Sequence, residues 1–300
     1  MPRPCRFHRL WLFALLILMT LPGRASEPLQ VLTSIRPLAL IAAEVVAPDD
    51  RLESLLPAGV SPHAFSLRVS DMRALTGADL VLWVGPQLEA FLAKPLAGAA
   101  SRSLQAAALN EMSWPSAAPV DDHGHGHGHG VDNHLWLNPN NAVVLAEALA
   151  ERLGQLRPDL AGQYRDRAEA FARRMASLDQ TLMAALAPVS ERGFAVYHDG
   201  YRHFVEHYGL RQLDYVSVTP ELTAGAKHLY HLEQALRDQA ACLFVEPYAD
   251  TTSARQLGER LGLGVSELDP LASNRAVESY DALMRGLADT MLACLLGDQR

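Results

Sequence analysis

Short apolar runs that alternate with helical segments limit this chain to an α/β fold. The most continuous run, ADLVLWVG, covers residues 78–85, and comparable runs occur at 193–197 and 242–245 in the second half. Strands that are buried on both faces, as in parallel sheets, are apolar at nearly every position. Both halves therefore predict a parallel sheet covered by helices, which makes the fold class α/β with two lobes.

A long amphipathic helix is predicted between the two lobes. Its apolar residues recur every three or four positions. They are Tyr164, Ala168, Phe171, Met175, Leu178 and Leu182. A helix of about 28 residues would measure roughly 40 Å at 1.5 Å per residue. We therefore predict a rigid linker helix at 159–187, an N-terminal lobe at 26–158 and a C-terminal lobe at 188–300.

The first 25 residues have the features of a secretory signal peptide. A basic start precedes an apolar run at residues 10–21. That run is shorter than the about 20 residues that span a bilayer, but it suits a signal peptide. The small residues Gly23 and Ala25 predict cleavage after Ala25. We therefore expect residues 1–25 to be removed and the mature protein to lie in the periplasm.

The acidic balance of the chain argues against a nucleic-acid partner. The formal net charge is −8 at pH 7, and the predicted signal peptide holds four arginines and no acidic residue. The mature protein is therefore more acidic still. Such a surface repels nucleic acid and attracts cations.

Two cysteines, Cys242 and Cys294, remain after the signal peptide is removed. In an oxidising compartment such a pair is a candidate disulfide. Two buried thiols are the alternative.

Histidine alternates with glycine in a segment that lies at residues 121–132. Its histidines are His123, His125, His127 and His129. This alternation has no face to bury, so we expect a mobile loop. Neutral imidazoles bind zinc, copper and nickel, which indicates an accessory metal site; a low-complexity linker is the alternative.

Three histidines and one carboxylate occur at comparable places in the predicted lobes. His63, His198 and Asp269 each follow a strand, and His134 opens the run HLWLNP at 134–139, predicted to be a short buried strand. In open α/β lobes the carboxyl ends of strands face the ligand crevice. Three imidazoles and one carboxylate suit tetrahedral zinc. The sequence therefore predicts a metal site in the cleft between the lobes.

Other polar residues near these strands are open to two interpretations. Glu246 ends an apolar strand, so it could orient a ligand histidine or be an ordinary strand-end acid. His203 and His207 lie four apart on a predicted helix, and we interpret them as surface or packing residues.

Several motifs occur together and carry a family resemblance. They are GVSPHAFSLR at 59–68, ADLVLWVGP at 78–86, the histidine-rich loop ahead of HLWLNP at 134–139, YHDGY at 197–201, FVEP at 244–247 and LDPL at 268–271. The chain resembles the metal-specific solute-binding proteins of ABC importers, and within them the zinc-uptake members. The similarity covers nearly all of the mature chain.

The resemblance implies that His63, His134 and His198 bind zinc. Some zinc-specific members carry a carboxylate immediately before the first histidine, where this chain has Pro62. The expected fourth ligand is then Asp269, with a water molecule as the alternative.

The resemblance also implies a role and further features. The protein would be a periplasmic zinc-binding component, and not an enzyme. It would act as a monomer that delivers Zn²⁺ as cargo to an inner-membrane permease served by a separate ATPase. The loop at 121–132 matches the family's mobile loop, and Cys242 and Cys294 match its disulfide position.

Two other functions remain alternatives. A metal chaperone or buffer for zinc, nickel or copper would use the histidine-rich loop as its main site. A zinc hydrolase would need three ligands, an open water position and a general base. The sequence lacks His-Glu-x-x-His, and residues 127–134, HGHGVDNH, do not match His-x-His-x-Asp-His.

Overall fold

The computed structural model describes residues 27–116, 131–222 and 224–297. The predicted signal peptide at 1–25 and the histidines His123, His125, His127 and His129 lie outside these residues. Within the described residues, no helix combines the length and the apolar character needed to cross a membrane.

The strands and helices alternate along both halves. In the first half they are β1 (Gln30–Thr33), α1 (Arg36–Ala43), β2 (Arg51–Ser54), α2 (Val69–Gly77), β3 (Leu80–Trp83), α3 (Ala90–Ala93), β4 (Ser103–Gln105) and α4 (Pro139–Leu156). The long helix α5 (Ala161–Leu186) follows. In the second half they are β5 (Gly193–His198), α6 (Arg202–His207), β6 (Gln212–Ser217), α7 (Ala226–Leu236), β7 (Ala240–Val245), α8 (Thr252–Leu261), β8 (Gly264–Glu267) and α9 (Tyr280–Leu295).

The described residues form two four-stranded sheets with the same kind of strand order. The first runs β2-β1-β3-β4 and the second β6-β5-β7-β8. Every strand pair in them is parallel. In each sheet the chain crosses from one side of its first strand to the other, so the switch points lie between β1 and β3 and between β5 and β7. The predicted α/β architecture of two parallel-sheet lobes is confirmed.

The strand β5 shows how the second sheet is buried on both faces. Phe194 and Val196 belong to a large core that also takes in residues of the first sheet, α4, α5 and α9. Ala195 and Tyr197, which point to the other face, belong to a smaller core beneath α7 and α8. Both faces are apolar because helices cover both, as expected for a parallel sheet.

Helix α5 contacts both lobes. The Arg167 guanidinium donates hydrogen bonds to the carbonyl groups of Ala43, the last residue of α1, and Val45. Further along the helix, Asp179 Oδ1 lies 2.7 Å from Nε2 of His207, in α6. At 26 residues the helix is about 39 Å long.

The linker helix begins two residues later than predicted. A 3-10 turn at Pro158–Leu160 precedes α5. Leu160 has φ −107° and ψ 3°, which is outside the helical range and separates the turn from the helix.

The prediction of a strand after His134 is wrong. Residues Leu135–Leu137 form a 3-10 helix, in which the Leu137 N–H donates to the His134 carbonyl at 3.1 Å. Leu135, Trp136 and Leu137 are all fully buried. A strand shows an alternating burial pattern only when one face is exposed, so three buried residues in a row do not identify a strand.

A disulfide joins Cys242 to Cys294, across a separation of 52 residues. Cys242 lies in β7 and Cys294 in the last turn of α9, so the bridge fastens the C-terminal helix to the second sheet. The alternative of two buried thiols is excluded.

Candidate metal centre

Three histidines meet where the two lobes face each other. His63 lies between β2 and α2, His134 immediately precedes the 3-10 helix, and His198 is the last residue of β5. One ring nitrogen of each lies within 4.8 Å of the other two, and among the described residues these three alone form such a metal-binding group. Sheet topology explains the position of His198, because it ends a strand at the switch point of the second sheet.

A buried carboxylate orients the ring of His198. Its Nδ1 lies 2.8 Å from Oε1 of Glu246, the residue that follows β7. The strands β5 and β7 are neighbours, so their carboxyl ends bring the two side chains together. The Tyr201 hydroxyl donates to the same oxygen at 2.8 Å. Burial alone would lower the pKa of His198, but the charge and hydrogen bond of Glu246 raise it.

A second carboxylate orients His134. The Asp132 Oδ1 accepts hydrogen bonds from the His134 backbone N–H at 2.9 Å and from its Nδ1 at 2.6 Å. Burial alone would raise the pKa of Asp132. The charge and hydrogen bonds of His134, together with the nearby His203, hold that pKa well below its usual range. Asp132 is therefore a carboxylate that accepts, and the Nδ1 of His134 carries the proton.

The third histidine, His63, has no carboxylate partner among the described residues. The Nε2 of His63 is buried and makes no hydrogen bond within the described structure. Burial and the neighbouring rings of His134 and His198 lower the pKa of His63 to about 2. Its imidazole is therefore neutral at neutral pH, with a lone pair available to a cation.

The spacing of the nitrogens suits a tetrahedral metal ion. Because Nδ1 of His134 and of His198 is bonded to a carboxylate, the two rings turn their Nε2 atoms toward each other, as hydrogen-bonding partners. These two Nε2 atoms lie 3.2 Å apart. Zinc binds imidazole nitrogen at about 2.0–2.1 Å, which places two nitrogens of a tetrahedron about 3.3 Å apart. The rings of His134 and His198 therefore stand at nearly the separation that zinc requires.

Gly200 leaves room beside the rings of His198 and His134. A Cβ atom at this position would overlap Nε2 of His198 and would lie 2.8 Å from Cε1 of His134. The residue after Asp199 is therefore restricted to glycine for a steric reason, since any side chain would fill the space that faces the two rings.

Asp269 is not part of this group of ligand atoms. Its Oδ2 accepts hydrogen bonds from the Ser273 backbone N–H at 2.6 Å, the Ser273 hydroxyl at 2.7 Å and the Asn274 N–H at 3.3 Å. Its Oδ1 accepts one from Leu271 N–H at 3.2 Å. The carboxylate thus holds the turn that follows β8.

The residues that sequence reasoning missed are Asp132 and Gly200. Asp132 was assigned to the histidine-rich loop, but its side chain is almost fully buried beneath His134. The available signal was the Asp-x-His spacing, because a carboxylate two residues before a ligand can reach its ring. Gly200 gave no signal, because its importance depends on how the rings of two other residues point.

His203 is buried and His207 is half-buried. His203 is 2% exposed, and its Nε2 donates to the Asp132 carbonyl at 2.9 Å. His207 pairs with Asp179 of α5. Neither belongs to the group of metal-binding nitrogens.

Several known proteins are similar to this chain in sequence over nearly its whole length. The high-affinity zinc uptake system protein ZnuA of Yersinia pestis is 35% identical over 296 residues, covering 88% of this chain and 91% of that protein. The ZnuA of Brucella abortus (strain 2308) is 29% identical over 310 residues, covering 90% and 93%.

Solved structures show the same fold. The laminin-binding protein Lmb of Streptococcus agalactiae, described as an adhesin with metal-transporting activity, superimposes with a TM-score of 0.77 at 22% identity, covering 89% of this chain and 99% of that one.

The model of the periplasmic family named zinc-uptake complex component A, or ZnuA, matches residues 31–294, and this chain belongs to that family.

Proposed function

We propose that this protein is the periplasmic zinc-binding component of an ABC importer. It captures Zn²⁺ as cargo on His63, His134 and His198 and passes it to an inner-membrane permease driven by a separate ATPase. The observation that carries the proposal is the meeting of three imidazoles, two of them with Nδ1 bonded to buried carboxylates. The names of its relatives, which belong to zinc uptake systems, support it.

The burial of the centre favours capture over catalysis. His134 and His198 are 4% and 1% exposed. Each of their Nδ1 atoms is held by a carboxylate that is itself buried, Asp132 or Glu246. A family of uptake components also has no need to turn over a substrate. The site therefore suits an ion that is bound and later released without a chemical reaction.

The fourth ligand completes the proposal. We assign it to Asp269, which would have to leave some of its four hydrogen bonds in the turn after β8, with a water molecule as the alternative. Asp269→Asn keeps an acceptor for the turn and removes the charge. A drop in zinc affinity of tenfold or more at unchanged stability supports Asp269; an unchanged affinity assigns the position to water.

The proposed units follow the lobes. Residues 26–158 form the N-terminal lobe, 159–187 the linker helix and 188–300 the C-terminal lobe, with residues 1–25 removed on export. The loop at 121–132, with His123, His125, His127 and His129, would raise the local zinc concentration. The mature protein acts as a monomer. Light scattering would measure its mass in solution, and mass spectrometry of the exported protein would locate the cleavage after Ala25.

A competitive zinc titration tests the main proposal. It compares the mature protein with a His63→Ala, His134→Ala variant, a form that lacks residues 123–129, and a control with His228→Ala and His231→Ala. We expect one tight site that survives loop deletion and the control changes, and that is lost in the His63, His134 variant. Tight binding that is lost with the loop and kept in that variant would contradict the proposal and favour a metal chaperone or buffer.

A further inference from the structure

One carboxylate links the segment that carries His134 to the segment that carries His198. Asp132 Oδ1 is bonded to His134, and its Oδ2 accepts a hydrogen bond from the Arg202 backbone N–H at 2.9 Å. Arg202 begins α6 and follows His198 by four residues. His134 precedes α4 in the first half of the chain, whereas Arg202 belongs to the second, so this contact crosses between the lobes.

We propose that Asp132 is a positioning residue that fixes the tautomer of His134 and its distance from His198, a role that rests on the proposed zinc site. The fixed tautomer and the fixed distance both result from the hydrogen bonds of the Asp132 side chain. One oxygen holds the His134 ring, and the other holds the start of α6. His134 therefore cannot move relative to the His198 segment without breaking a buried hydrogen bond.

The surroundings of Asp132 restrain it further. The Nε2 of His203 donates to its carbonyl at 2.9 Å, so α6 holds both the side chain and the backbone of this residue. The segment before residue 117 is bound to the same helix, where Glu206 Oε2 accepts from the Ser116 N–H at 2.8 Å. Asp132 is 6% exposed, so water does not compete freely for its oxygens.

The chemistry requires a carboxylate at this position. Among the described residues, the Asp132 carboxylate accepts three hydrogen bonds, all from N–H groups. An asparagine has one acceptor oxygen and one donor group. If its amide faced the ring, it would donate to Nδ1 and move the imidazole proton to Nε2, the nitrogen that zinc needs. If it faced Arg202, two N–H groups would oppose each other and the inter-lobe contact would be lost.

The test combines a ring-tautomer measurement with zinc affinity. Nitrogen-15 NMR of the zinc-free protein reports which nitrogen of His134 carries the proton, and a competitive titration with zinc alone reports affinity. Asp132→Asn and Asp132→Ala are compared with Asp79→Asn. Asp79 also accepts a backbone N–H, from Gln30, but at the amino end of β1. Thermal unfolding of the zinc-free variants shows that each is folded.

We expect wild type and Asp79→Asn to show His134 protonated on Nδ1, and Asp132→Ala, which offers the ring no acceptor, to gain the Nε2–H form. Zinc affinity should fall about 10- to 100-fold in both Asp132 variants. In a His134→Ala background, Asp132→Asn should cost nothing further, because Asp132 acts through that ring. An unchanged tautomer in Asp132→Ala, or an equal loss of affinity from Asp132→Asn in both backgrounds, would overturn the inference.

The two proposals fail in different ways. If the His63→Ala, His134→Ala variant kept tight zinc binding, the proposed zinc site would fall, whatever the tautomer data showed. If that variant lost zinc while Asp132→Asn and Asp132→Ala retained full affinity, the zinc site would stand and the positioning role of Asp132 would be refuted.

Discussion

Nε2 of His134 and Nε2 of His198 lie 3.2 Å apart, on side chains that reach the cleft from different lobes. Each ring is held from behind by a carboxylate, Asp132 or Glu246. Pre-organised ligands lose little conformational freedom on binding, so more of the interaction energy appears as affinity. Zinc binding therefore needs little rearrangement of these two side chains.

Gly200→Ala should abolish tight zinc binding without unfolding the protein. The added Cβ would occupy the space beside Nε2 of His198 and Cε1 of His134. Gly286→Ala in α9 is the control, because a Cβ there meets nothing within 4 Å. Zinc titration and thermal unfolding would measure both effects. Tight binding by Gly200→Ala would show that the metal lies elsewhere.

Glu246→Gln should weaken zinc binding about 10- to 100-fold. The change keeps an acceptor for Nδ1 of His198 but removes the negative charge that raises the pKa of that ring. The ring becomes a poorer electron donor to a cation. Glu267→Gln is the matched control, because Glu267 ends the adjacent strand β8 and forms an exposed ion pair with Arg255 of α8. Equal affinities for the two variants in the same titration would argue against an orienting role for Glu246.

How far sequence reasoning reached differs between fold and site. The parallel sheets were predictable because the run 78–85 is apolar at nearly every position. The long helix was predictable because its apolar residues keep one period over many turns. The positions of His63 and His198 followed from motifs at strand ends. The link from Asp132 to the second lobe could not be predicted, because its second oxygen is bound by Arg202, 70 residues further along the chain. Such a contact leaves no periodic trace in the sequence.

Glu89→Gln should stabilise the protein increasingly as the pH rises from about 4.5 to about 7. Glu89 is fully buried, and burial raises its pKa from 4.5 to about 7. Between these values the folded state keeps a proton that the unfolded state has released, so wild-type stability falls with rising pH. Glutamine does not titrate, so the free energy of unfolding of the variant does not fall in this way. The difference from wild type is at most about 3 kcal/mol.

Chemical denaturation at pH 4.5, 6 and 7.5 would measure this difference. Glu111→Gln, at an exposed position, serves as the control. A stability difference between Glu89→Gln and wild type that stays constant across the three pH values would contradict the prediction.

Replacing Cys242 and Cys294 together by alanine should lower stability by about 4 kcal/mol. The bridge closes a loop of 52 residues and so restricts the conformational entropy of the unfolded chain. Without the bridge the unfolded chain regains this entropy, which favours unfolding. Zinc stoichiometry should not change, because the disulfide joins β7 to α9 away from the three histidines. Chemical denaturation should show the same decrease in the free energy of unfolding for the variant and for wild type with a reductant. A variant as stable as the oxidised wild type would contradict the prediction.

Zinc binding should change the overall dimensions of the protein very little. Helix α5 is bonded to the first lobe through Arg167 and to the second through Asp179, so it resists a wide rotation between them. Small-angle scattering of the zinc-free and zinc-loaded protein should give nearly equal radii of gyration. A domain rotation large enough to change the radius clearly would show that the helix does not restrain the lobes.

The large core described above has a thermodynamic consequence. It runs without a break from Val31 in the first sheet, through Phe171 in α5, to Phe244 in the second sheet and Met291 in α9. Neither lobe can lose its packing without exposing apolar surface of the other. Although the chain forms two sheets, it should melt as one cooperative unit, with calorimetric and van't Hoff enthalpies that agree.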